Sequence, residues 1–183
     1  MPLARAAALL AVAIASAARA DRFHVGMGLG AGTGPGDTGA YLCGTIVAGY
    51  SLLPWMDVRF ALFRHTNHLF NFVGESRELR TVAALAGLHI HARLTGPIDL
   101  IAAASVGAGR ISEPLPIVFG SLAGRSTDLA WQTAAGFRVV AGKGWIAFEW
   151  VTTQFAHYPN ADRLAYVEGR IDGPVISVGV AIF

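Results

Sequence analysis

The chain has 183 residues, 54% of them hydrophobic and 14% charged, with a formal net charge of +2. A single cysteine, Cys43, excludes an internal disulfide. No stretch after residue 20 runs apolar for the roughly eighteen residues a membrane helix needs, because His89, His91, Arg93 and Gly96-Pro97 interrupt the best candidate.

Residues 1–20, MPLARAAALLAVAIASAARA, place Arg5 before a short apolar run and end in Ala18-Arg19-Ala20. That pattern predicts a secretory signal peptide cleaved before Asp21, leaving 21–183 as one domain. The leader holds two arginines and no acid, so twelve basic residues then face twelve acidic ones. No basic patch argues for nucleic acid.

From residue 22 onward the hydrophobic pattern has period two. In 22–31, Phe23, Val25, Met27, Leu29 and Ala31 oppose Arg22, His24 and three glycines. In 55–64, Met56, Val58, Phe60 and Leu62 oppose Asp57 and Arg59, and in 79–94 the even positions from Val82 to Leu94 are all apolar. In 128–139, Leu129, Trp131, Ala135, Phe137 and Val139 oppose Asp128, Gln132 and Arg138. Such alternation predicts half-buried strands. Adding 41–50, 97–110, 144–157 and 174–183 makes eight, several near the ten or so residues that cross a bilayer when tilted.

The predicted connections alternate. Short ones lie near 51–54, 94–97 and 141–144, and long ones at 32–40, 65–78, 111–127 and 158–173. Short turns at one end and long loops at the other predict an eight-stranded antiparallel transmembrane β-barrel of the bacterial outer membrane. A soluble lipocalin-like barrel is the alternative. The polar face (Asp57, Arg59, His89, His91, Arg93, Asp99, Gln132, Arg138, Glu149) is then expected to pair within a narrow interior. His89 and His91 share that face without a third ligand at metal spacing, so no metal is expected, nor any other cofactor. Trp55, Trp131, Trp145 and Trp150 read as interfacial girdles, and PVISVGVAIF resembles the terminal assembly signal of such barrels. His65 and His68 read as a solvated loop entrance.

The most specific signal is FAHYPNADRL at 155–164. It resembles the motif His-x-Ser-Asn-Ala of the PagL-type lipid A 3-O-deacylases, which lies late in the seventh strand of an eight-stranded barrel, with an acid following at the start of the eighth. GPIDLIAAASVGAGRI (96–111) and LAWQTAAGFRVV (129–140) are similar to that family's fifth and sixth strands. The resemblance implies His157 as general base, Asn160 at the oxyanion position and Asp172 as the acid orienting the base, with lipid A of lipopolysaccharide as the outer-membrane lipid partner. Pro159 stands where the nucleophilic serine belongs, and proline has no hydroxyl to activate. Thr153 and Tyr158 are the nearest other hydroxyls.

Parity adds a constraint. With Ile146, Phe148 and Trp150 facing lipid, Glu149 and His157 both face inward, unless a bulge near Val151–Thr153 reverses the register. The sequence therefore supports either a deacylase impaired at its nucleophile or a non-catalytic barrel that binds lipopolysaccharide or a partner through its long loops. A soluble periplasmic carrier is a third reading.

Overall fold

A computed structural model of the chain describes residues 23–33, 41–70, 76–112, 126–160 and 165–182. The predicted leader and Phe183 lie outside them. Eight strands follow one another: β1 (Phe23–Gly32), β2 (Tyr41–Leu53), β3 (Met56–Phe70), β4 (Ser76–Thr95), β5 (Ile98–Ser112), β6 (Ser126–Ala141), β7 (Gly144–Asn160) and β8 (Ala165–Ala181). Each pairs antiparallel with the next, and β8 pairs antiparallel with β1, closing a barrel. Closure leaves no unpaired sheet edge. The short connections at Pro54-Trp55, Gly96-Pro97 and Gly142-Lys143 share one end. Gly96 and Gly142 carry φ of 50° and 60°, a left-handed conformation open to glycine without strain.

Several strands run past their predicted ends. β8 begins at Ala165 rather than 174, and β3 continues to Phe70. The ladder outlasts the apolar band, so hydrophobicity stops marking a strand before its hydrogen bonds stop.

The alternation resolves into an inverted molecule. Outward Met27 and Ile46 are 66% and 61% exposed, whereas inward Asp57 is 1% exposed. In water such a surface would cost about 25 cal/mol per Å² of apolar area left exposed. In a bilayer that penalty vanishes, and the polar groups sit where they satisfy one another.

The interior is filled in two tiers. Toward the short turns it is charged. Toward the other end the described buried residues carry no carboxylate or guanidinium: Phe63, Leu85, Phe155 and Ile171 pack there with buried His65, Thr81 and Thr153. Gly109 leaves room for one of these plugs, since a Cβ there would run into the Phe155 ring. The cavity beside Arg59, Glu149 and Trp145 holds only about 20 Å³, space for about one water. The described interior is a packed core.

Candidate functional site

The inward charges form three groups. Arg59 Nη1 donates to Glu149 Oε1 at 2.8 Å, both side chains buried. Asp99 receives Arg138 Nη2 at 3.0 Å and Arg93 Nε on its other oxygen. Asp57 faces His89 Nδ1 and His91 Nε2, each at 3.4 Å, with His24 Nε2 at 3.8 Å. Among the described residues no group of three His, Cys, Asp or Glu is arranged to hold a metal ion. The expected pairing of the polar face is what the barrel contains.

Two expectations are corrected inside. Trp145 is not part of an outer girdle. It packs against the core, its ring edge-on to His24 at 6.5 Å between centroids. His65 is not a solvated loop residue: it is fully buried, its Nε2 3.3 Å from the Gly32 carbonyl. It shares the parity of Asp57 and Arg59, and β3 extends beyond it. The side chain of His68 lies outside the described residues.

The residues expected at a lipid-facing site fall on β7 and β8. The ladder is continuous from Gly144↔Val180 to Phe155↔Gly169, then shifts by one residue before Tyr158↔Val167. The bulge thus lies at Ala156-His157 rather than at Val151–Thr153. Thr152 and Gln154 stay on the outer wall, and Thr153 points inward, fully buried, its Oγ1 accepting from Gln132 Nε2 at 2.9 Å. The inward count that covers Glu149 stops at the bulge. Side chains of 157–160 lie outside the described residues, but their backbone register is defined: Pro159 pairs with Tyr166 and Asn160 with Ala165.

Register also places the acids. Asp172 pairs with Thr152, five residues before His157. At about 3.3 Å per residue the ladder does not bring Asp172 beside that histidine. The bulge stands instead opposite Glu168, the β8 residue between the partners of Phe155 and Tyr158. Nothing in the sequence spacing alone favoured Glu168, because choosing it requires knowing where the extra residue sits.

Asp172 has a different setting. It lies on the outer wall, its carboxylate held on both sides: Thr152 Oγ1 donates to Oδ1 at 2.6 Å, and Arg170 Nε lies 2.6 Å from Oδ2. Its backbone exchanges hydrogen bonds with Thr33 at 2.8 and 2.9 Å, which joins β8 to the end of β1. Two residues along β7 from Thr152, Trp131 Nε1 donates to Gln154 Oε1, and Gln154 pairs with Arg170. Arg170 is 60% exposed. A polar seam therefore crosses β6, β7 and β8 on the outside of the barrel, above the apolar Phe148, Trp150 and Ile176.

No protein-family model matches the chain, and no curated protein sequence matches it. Among solved structures, the crystal structure of Neisserial surface protein A (NspA) matches with a TM-score of 0.66 at 13% identity, covering 87% of this chain and 97% of that one. Ail, the attachment invasion locus protein of Yersinia pestis, crystallised with the heparin analogue sucrose octasulfate, matches with a TM-score of 0.52 at 10% identity, covering 87% and 95%. At such identities the likeness is one of fold. The chain has the fold of the eight-stranded outer-membrane β-barrels.

Proposed function

We propose that this chain is an exported bacterial outer-membrane barrel that engages the lipid A part of lipopolysaccharide along its β7–β8 wall without hydrolysing it. The observation that carries the reading is the polar seam on the outer wall of β6, β7 and β8, built from Thr152, Asp172, Arg170, Gln154 and Trp131, at the end of the barrel where Arg64, Arg80 and Arg110 are also exposed. Polar side chains facing lipid are costly unless they meet polar groups there. A glycolipid whose phosphates, hydroxyls and ester carbonyls lie at the edge of the hydrocarbon supplies such groups, and Arg170 suits a phosphate.

The same geometry favours binding over ester cleavage. Hydrolysis needs a hydroxyl beside a base. Pro159 supplies none, Thr153 is inside the barrel, the Thr152 hydroxyl, five residues from His157, donates to Asp172, and the Tyr158 side chain lies outside the described residues. Mass spectrometry of lipid A from cells expressing the chain, beside a His157→Ala control at equal outer-membrane abundance, is expected to give identical acylation. Loss of one hydroxyacyl chain only when His157 is present would overturn this reading.

The second reading is a 3-O-deacylase that has replaced its serine, with His157 as base and Asn160 at the oxyanion. The register that sets Glu168 opposite the bulge favours it, since an acid beside the base is what such chemistry needs. In this reading Glu168 takes the orienting role assigned above to Asp172. Pro159→Ser separates the two: a gain of deacylation supports the latent enzyme, and unchanged lipid A with an assembled barrel supports binding alone.

A further inference from the structure

At the short-turn end a cleft of about 520 Å³ opens between the Pro54-Trp55 turn and the lower ends of β4, β5 and β6. Its lining has two halves. Trp55, Ile90 and Ala92 are exposed and face outward from the barrel. His91, Arg93, Asp99 and Arg138 form the mouth of the interior.

The charges of the second half do not balance. Asp99 alone serves both Arg93 and Arg138. Glu149 is engaged by Arg59, and Asp57 faces the three imidazoles. Arg138 Nε is buried without a hydrogen-bond partner among the described residues, and the Arg93 side chain is 62% exposed. Within the cleft lining itself two guanidinium groups face one carboxylate beside an apolar surface, although across the described interior three arginines match three carboxylates.

The geometry points to a binding site for the phosphate headgroup of an anionic phospholipid in the leaflet on the short-turn side. Its phosphate would meet Arg93 and Arg138, and its acyl chains would lie along Ile90, Ala92 and Trp55. A guanidinium presents paired N–H donors that match phosphate oxygens. The apolar half distinguishes a lipid from a free anion. This inference rests on the membrane reading of the barrel but not on lipid A engagement, which concerns the opposite end.

The test uses the barrel refolded in a non-ionic maltoside detergent, its strand content checked by circular dichroism. Trp55 fluorescence, defined as the signal lost in Trp55→Phe, is followed during titration with dihexanoyl phosphatidylglycerol, dihexanoyl phosphatidylcholine or inorganic phosphate. Saturable binding of phosphatidylglycerol is expected, tighter than either of the others and weakened about tenfold by Arg93→Gln, the loss of one charge-assisted hydrogen bond. Arg93→Gln leaves the Arg138–Asp99 bridge in place, so the barrel persists. Equal binding of inorganic phosphate or of phosphatidylcholine, or indifference to Arg93→Gln, overturns the inference. Failure of the folded barrel to insert into vesicles would instead overturn the membrane reading, and is measured separately by flotation.

Discussion

Arg59 and Glu149 meet at 2.8 Å with their side chains only 6% and 4% exposed. Arg59 Nε is buried with no partner among the described residues. A buried pair of this kind is costly to break and cheap to replace, because each ion alone keeps its desolvation penalty while two apolar groups carry none. Arg59→Met is therefore expected to destabilise the barrel by about 3–5 kcal/mol, and Arg59→Met with Glu149→Leu to recover most of that loss. Urea unfolding of the vesicle-refolded barrel, read by tryptophan fluorescence, checks both. A double variant no better than the single would show that the pair contributes more than mutual neutralisation. At this scale the sequence was readable where alternation was unbroken: Asp57, Arg59, Asp99, Gln132 and Glu149 all lie inside, as their parity requires. It was misread at two aromatic residues. Trp145 has the parity of Glu149, not of Trp150, and His65 has the parity of Arg59. Each could have been placed by carrying the count through instead of assigning tryptophan to interfaces and histidine to loops by type.

Register decides what meets what along β7 and β8, and one extra residue decides the register. Asp172 lies fifteen positions after His157 in the sequence, a spacing that suits a hairpin closing the two together. The bulge at Ala156-His157 and the start of β8 at Ala165 instead set Asp172 opposite Thr152. Period-two patterning does not reveal a bulge in a stretch such as TQFAHYPN, where neither face is uniformly apolar. Cysteine trapping tests the register in a Cys43→Ser background. His157→Cys with Glu168→Cys is expected to form a crosslink under mild oxidation, and His157→Cys with Asp172→Cys is not. Disulfides require Cα atoms within about 7 Å, so crosslinking of the Asp172 pair alone would restore the shorter acid–base arrangement and strengthen the hydrolytic reading. The polar seam itself was hidden from the sequence for a related reason: Trp131, Thr152, Gln154, Arg170 and Asp172 become one feature only when three strands are aligned.

For the whole molecule, the architecture was legible because two independent signals agreed: alternation in 22–31, 55–64, 79–94 and 128–139, and short connections at one end. What burial adds is the sense of the inversion. An arginine placed on the outer face at Phe60, which is 56% exposed, is expected to cost about 2–4 kcal/mol in a bilayer, and the same change at Trp55, beside a turn, less than about 1 kcal/mol. Folding titrations in vesicles measure the difference. Equal costs at the two positions would mean that Phe60 does not face hydrocarbon.

The two-tier filling of the interior bears on how such a barrel gets into a membrane at all. If the short turns stay on the side from which the chain arrives, the opposite end has to travel through hydrocarbon. The strands at that travelling end enclose Phe63, Leu85, Phe155 and Ile171, whereas Asp57, Arg59, Asp99, Arg138 and Glu149 sit in the trailing half. Ionised groups dragged through a bilayer meet a steep barrier. The interior of the leading end holds no buried ion pair among the described residues, and its charges, Arg170 and Asp172 among them, lie on the outer wall, so the barrel keeps its buried ion pairs where the journey is shortest.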